Sequence, residues 1–250
     1  MEMKGKVALI TGGGTGLGRI IAQQLAREGM HIAIHYSRSE DDARDTVKVL
    51  QEMGVQAQTV QADLNAPTAV ADSKRMVEYV AGHFGRLDLL INNAGTTRSV
   101  PFPDIGELDE ADWDAVLNVN TKAPFFTTQA AVPIMRQHGG GHIINTASIA
   151  GIRASGSSIA YAVSKAGTIH LTKCLAAALA PDIRVNAVAP GFLHTRWVAN
   201  FTDEQIQLVT QQASLKKAAD LEDVAAAYVM LARNESMTGQ VIIVDAGVTL

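Results

Sequence analysis

An α/β domain built on a parallel sheet covered on both faces is predicted by three observations. Short apolar runs alternate along the chain with longer segments of helical period, the pattern of successive βαβ units. A glycine-rich stretch, T-G-G-G-T-G-L-G at 11–18, follows the first apolar run directly and opens the first helical segment. The 250 residues, 47% of them hydrophobic, are enough for one sizeable core, and no repeat or Pro/Ser-rich linker divides them. One domain spanning 1–250 is therefore expected.

The apolar runs place strands at 6–11, 31–36, 56–61, 87–92, 142–147, 183–188 and 240–244. The first helix runs from Leu17 to Glu28 and stops at Gly29. Ser39 opens the second, with Asp42 three residues on as in a capping box, and Gly54 closes it. Pro67 suits the first turn of the third, and Gly82 ends that helix. A long helical stretch from Asp109 to His138 contains Pro124 and Pro133, so a kink or break is expected before the glycines at 139–141 end it. The least regular long segment, Gly191 to Thr202, has the character of a lid or binding loop, and a substrate loop is expected near 191–215.

Composition narrows the function classes. A net charge of -4 without a long basic run gives no footprint for nucleic acid or an anionic membrane. The N-terminal apolar run is too short for a signal-peptide core and no 18-residue apolar stretch follows, so a cytoplasmic location is expected. The single cysteine, Cys174, builds no disulfide framework, and L-T-K-C-L-A-A-A-L reads as a helix with a small packed residue at that position. His31 and His35 lie four apart in a strand and His142 starts another. All three are read as structural, and no metal site is expected. His194, beside a P-G turn, is a candidate for substrate contact.

The chemistry is carried by Y-A-V-S-K, in which Tyr161 and Lys165 stand one helical turn apart on one face. A phenol beside an ammonium can donate a proton near neutral pH. Ser148 lies thirteen residues before the tyrosine. The glycines of 11–18 let backbone approach a pyrophosphate at the positive end of a helix, with three residues between Gly12 and Gly16.

Together with N-N-A-G at 92–95, Asn120 in N-V-N-T, Ser148 in I-N-T-A-S and P-G at 190–191, these motifs bring the sequence close to one family. It resembles the classical short-chain dehydrogenase/reductases over essentially its whole length, and is similar among them to 3-oxoacyl-acyl-carrier-protein reductases. The resemblance implies a Rossmann-type, doubly wound seven-stranded parallel sheet of order 3-2-1-4-5-6-7, with helices on both faces and usually a homotetramer. It also implies a catalytic set. Tyr161 is the general acid in reduction or base in oxidation, Ser148 orients the substrate oxygen, and Asn120 helps hold a water of the proton relay. Lys165 bridges the nicotinamide ribose and lowers the phenol's pKa, which is ~10 when free and leaves only about 0.1% ionised at pH 7. With the nicotinamide cation, that lowering is expected to reach a few units.

For the dinucleotide, the same resemblance points to Gly12, Gly14, Thr15, Gly16 and Leu17 around the pyrophosphate and adenosine ribose. Asp63 and Leu64 would meet the adenine, Asn92, Ala94 and Gly95 would lie along the ribose and central sheet, and Pro190, Gly191, Leu193 and Thr195 would hold the carboxamide end. The second strand ends H-Y-S-R-S with no carboxylate before Glu40. That favours NADP(H), with Ser37 and Arg38 and also Ser39 at its 2′-phosphate, and leaves NAD(H) as the alternative. The expected reaction is reduction of a ketone to a secondary alcohol, on a small ketone, a β-keto ester or a 3-oxoacyl thioester, with an acyl carrier protein as a partner in the last case. Carrier reductases commonly bear an Arg-Glu pair where this chain has Ala177 and Ala178. Ile152, Arg153, Ala154, Phe192, Trp197 and Phe201 are expected to border the substrate cleft. The competing readings are an NAD-dependent sugar or polyol dehydrogenase and a dinucleotide-binding regulator without turnover.

Overall fold

The computed structural model describes residues 1–199 and 201–250, and Asn200, inside the expected loop, lies outside them. Its strands are β1 (Val7–Ile10), β2 (His31–Tyr36), β3 (Ala57–Gln61), β4 (Leu89–Asn92), β5 (Gly141–Thr146), β6 (Ile183–Pro190) and β7 (Val241–Val244). All pair in parallel in one sheet of order β3-β2-β1-β4-β5-β6-β7. The helices are α1 (Gly16–Arg27), α2 (Glu40–Glu52), α3 (Ala69–Phe84), α4 (Glu110–Leu117), α5 (Ala123–Gln137), α6 (Ile159–Leu179), α7 (Asp203–Gln212) and α8 (Leu221–Arg233).

Strand periodicity divides the core between two faces. Ala8 and Ile10 join Ile21, Leu25, Leu50 and Tyr228 on one side, while Val7 and Leu9 join Val77, Met135 and Val185 on the other. Both faces are covered, so β1 reads V-A-L-I with all four residues buried. β1 lies between β2 and β4, where the strand order reverses, and such a reversal opens a crevice at the strands' C-terminal ends.

Several helix boundaries differ from those expected. Gly82 lies inside α3, which continues to Phe84 and ends at Gly85, whose φ of +76° supplies the left-handed cap. Pro67 precedes the cap residue Thr68 and is outside the first turn. Ser39 does begin α2, but its side chain caps nothing, and the Asp42 carboxylate accepts from Arg196. The long stretch breaks at neither proline. It opens into a π-turn at Asn118–Lys122, Pro124 falls in the first turn of α5, and Pro133 is accommodated within that helix. Cys174 is exposed, with Ala177 and Ala178, on a face of α6 that points away from the sheet, so it is not the packed residue expected. The segment after β6 is partly helical, with a 3-10 turn at Arg196–Val198 followed by α7.

Candidate active site

A cleft of about 950 Å³ opens over the C-terminal ends of the strands. The first βα turn forms its floor. Gly12 and Gly16 adopt φ of +63° and +51°, conformations that favour glycine, and a Cβ on Gly12 would stand 3.1 Å from the Ala94 backbone. Packing also requires Gly18, where a Cβ would fall 2.4 Å from the Gly12 carbonyl oxygen. The N-cap of α1, Thr15, makes no side-chain cap, and the first turn carries no acid. The leading amides of α1 are therefore available to an anion.

Gly14, Thr15, Leu17, Asp63, Leu64, Ala94 and Gly95 border the cleft with these glycines, as do Ser37, Arg38 and Ser39 at the end of β2. Among the described residues, no carboxylate lies within 4 Å of Arg38, whereas Glu40 is occupied by Arg44 at 2.6 Å. Pro190, Gly191, Leu193 and Thr195 border the opposite end. Gly191 is required by close packing, since a Cβ there would meet Asp245 at 2.8 Å.

Asn92 does not reach the cleft. Its buried side chain donates to Asn145 Oδ1 at 2.9 Å inside the sheet, and the next residue takes the expected place. Asn93 Nδ2 donates to the Thr11 and Gly12 carbonyls at 3.0 and 3.1 Å, and Thr11 Oγ1 accepts from the Asn93 and Ala94 amides at 2.9 Å.

His35, structural as its strand position suggests, also borders the cleft. Its Nδ1 accepts from the Gly12 amide at 3.1 Å and its Nε2 bonds the Ala62 carbonyl at 3.1 Å, tying the glycine turn to the end of β3. Burial holds its pKa down at about 4, so the ring is neutral, with the proton on Nε2. His35→Leu is expected to orphan the Gly12 amide and weaken dinucleotide binding about tenfold at unchanged saturated turnover, read by fluorescence titration beside steady-state rates. His31 Nδ1 accepts from the Gln56 amide, and His142 is buried against Asn186.

The reacting groups lie at the mouth of β5 and the start of α6. Ser148 Oγ accepts from the Ala150 amide at 3.1 Å, leaving its own O–H to donate elsewhere. Ser158 caps α6 by accepting from the Tyr161 amide, which places the tyrosine in the first turn and Lys165 one turn later. Lys165 is 3% exposed, and its Nζ donates to the Thr146 carbonyl at 2.7 Å and lies 5.7 Å from the Tyr161 ring centre. Gly151 permits this approach, because a Cβ there would collide with the Lys165 backbone at 2.5 Å.

Asn120, expected to help hold a water of the proton relay, is buried and does not itself border the cleft. Its Oδ1 accepts from the Thr96 amide at 2.8 Å, and its Nδ2 donates to the Thr96 carbonyl and Ser164 Oγ at 2.9 and 3.0 Å. The Asn120 carbonyl accepts from Thr168 Oγ1. It thus fixes the turn after Gly95 against α6, as a positioning residue.

Burial pushes Tyr161 up to about 12, and the nearby Ser148 hydroxyl offsets only part of this. That is opposite in sign to the lowering expected from Lys165, whose own pKa burial brings down to about 8. With the protein's own groups, the phenol is an acid that keeps its proton throughout the neutral range.

On the substrate side, Arg153, Phe192, Trp197 and Phe201 border the cleft, joined by Val209 and Gln212 of α7. Ile152 and Ala154 do not, and both side chains are exposed. His194 also stays outside, packed edge-on against Phe192 with ring centres 5.4 Å apart.

A family model described as short chain dehydrogenase matches residues 6–206. A Streptomyces violaceoruber protein assigned as ketoacyl reductase 2 of the granaticin polyketide synthase is 40% identical over 246 residues, covering 98% of this chain and 96% of its own. A 3-oxoacyl-acyl-carrier-protein reductase of Thermotoga maritima is 38% identical over 253 residues, covering all of both chains. Among solved structures, a short chain dehydrogenase from Burkholderia cenocepacia in complex with NADP is 34% identical, with a TM-score of 0.90 over the full length of both chains. The chain belongs to the short-chain dehydrogenase family and is an NAD(P)-dependent oxidoreductase of C=O and CH–OH groups.

Proposed function

We propose that the protein is an NADP(H)-dependent ketoreductase that converts a ketone to a secondary alcohol, with Tyr161 as proton donor. One observation carries the reading: the half-buried phenol of Tyr161 shares the cleft with Ser148, keeps its proton at neutral pH, and has the buried Lys165 5.7 Å from its ring centre. The glycine floor and the open amides of α1 fit the pyrophosphate of a dinucleotide, which supplies hydride when bound. The chain's own residues do the rest. Ser148 donates to the carbonyl oxygen and holds it beside the phenol. Tyr161 Oη passes its proton to that oxygen, and the charge on Lys165 stabilises the phenolate left behind.

NADP(H) is favoured over NAD(H) because the end of β2 presents Ser37, Arg38 and Ser39, while Glu40, the first acid after it in sequence, is already paired with Arg44. An NAD-dependent sugar or polyol dehydrogenase would need a free carboxylate there. Arg38→Ala is expected to weaken NADPH roughly tenfold to a hundredfold and NADH much less, measured as separate dissociation constants. Equal losses would place the 2′-phosphate elsewhere.

The substrate is a small ketone, a β-keto ester or a 3-oxoacyl thioester. Ala177 and Ala178 offer no charge to an acidic carrier, while relatives at 36–40% identity are named for ketoacyl or 3-oxoacyl reduction. The reading includes the family's usual homotetramer and a cytoplasmic location. NADPH and NADH oxidation over a carbonyl panel with acetoacetyl thioesters tests it. Turnover of at least one ketone with NADPH preferred is expected, and turnover confined to NAD and polyols would overturn it.

A further inference from the structure

Arg196 and Trp197 are consecutive residues of one 3-10 turn, and they reach opposite banks of the cleft. Toward the β2 side, the Arg196 guanidinium grips Asp42 of α2 with two parallel bonds of 2.6 and 2.5 Å, across 154 residues of sequence. Toward the β4–β5 side, Trp197 meets the Tyr161 ring edge-on at 5.8 Å between centres, and its ring would lie 3.4 Å from a Cβ on Gly95. The turn therefore spans the groove between the adenosine-side wall and the reacting groups.

Asp42 stands where a capping carboxylate for Ser39 is expected, yet its oxygens face the loop instead. The pairing holds its carboxyl below the usual range. Both partners are reachable by water, with side chains 66% and 28% exposed, so the contact can open without a large barrier. A bidentate fork is the ion-pair geometry that fixes orientation as well as charge.

We propose that Arg196 and Asp42 form a clasp that retains the bound dinucleotide and seats Trp197 against Tyr161. This rests on the dinucleotide reading above. Opening the clasp lifts the turn from the α2 bank and clears the path out of the groove. Closing it lays Trp197 beside the proton donor, so one pair couples cofactor residence to the apolar wall that a substrate meets. Arg196 and Asp42 are positioning residues, acting through the turn between them.

The test is a double-mutant cycle on release. NADPH-loaded protein is chased with excess NADP⁺ and the loss of bound nicotinamide fluorescence is followed in the wild type, Asp42→Asn, Arg196→Gln and the double variant. Each single change is expected to speed release about threefold to tenfold, with the double no faster than either single. Arg196→Lys, which keeps the charge and loses the fork, is expected to fall between wild type and Arg196→Gln. NADPH bound normally but released at the wild-type rate by both single variants, or effects that add in the double, would overturn the clasp alone. A wild-type protein that binds no NADPH would overturn the dinucleotide reading and the clasp with it.

Discussion

Replacing Tyr161 with Phe is expected to cut ketone reduction by about 10²- to 10⁴-fold while dinucleotide binding is retained. The ring is half-buried and meets Trp197 edge-on, and phenylalanine preserves that packing. What disappears is the phenolic hydroxyl, and with it the proton for the carbonyl oxygen. Steady-state NADPH oxidation read beside a binding titration separates the two quantities. Undiminished turnover would show that the proton comes from another group.

Lys165→Gln is expected to lower reduction by roughly 10²-fold and to change its pH dependence. Burial brings the lysine to about 8 and raises the tyrosine to about 12. Below pH 8 both the ammonium and the phenolic proton are present, so the wild-type rate is level there. As pH rises through about 8 the ammonium is lost while the phenol stays protonated, so the rate falls with the loss of one proton. The glutamine variant carries no charge to lose and should lack that limb. A wild-type profile flat to pH 10, or one that rises through 8, would show that the charge of Lys165 does not govern the step. Glutamine keeps a donor for the Thr146 carbonyl, so the change reads the charge more than the packing.

Much of this was legible before any coordinates. Apolar runs such as V-A-L-I and H-I-A-I-H-Y located β1 and β2, and a glycine turn between strand and helix marked the floor of the cleft. The misses trace to properties that residue type does not carry. Gly82 and Gly85 look alike in sequence, but only the second adopts the left-handed conformation that ends α3. The π-turn around Asn120 depends on Thr96 and Ser164, which come from distant segments. Asn92 and Asn93 are adjacent in one motif, and the register of β4 alone decides which faces the sheet and which grips the turn.

The sign of the Tyr161 shift was also hidden. A lysine four residues away is visible in sequence, whereas the burial that outweighs it arises only when the chain packs around the start of α6, with Trp197 against the ring. His35 left one faint signal, a polar ring in an apolar strand beside the glycine turn. Its bond to the Gly12 amide needs the spatial adjacency of β1 and β2.

Proton delivery by Tyr161 is tested most directly by single-turnover mixing of NADPH-loaded protein with a β-keto ester in H₂O and in D₂O, wild type beside Tyr161→Phe. The wild type is expected to oxidise its NADPH in one turnover, more slowly in D₂O, while the variant holds NADPH and leaves it reduced. A variant that consumes NADPH at the wild-type rate would contradict the assignment.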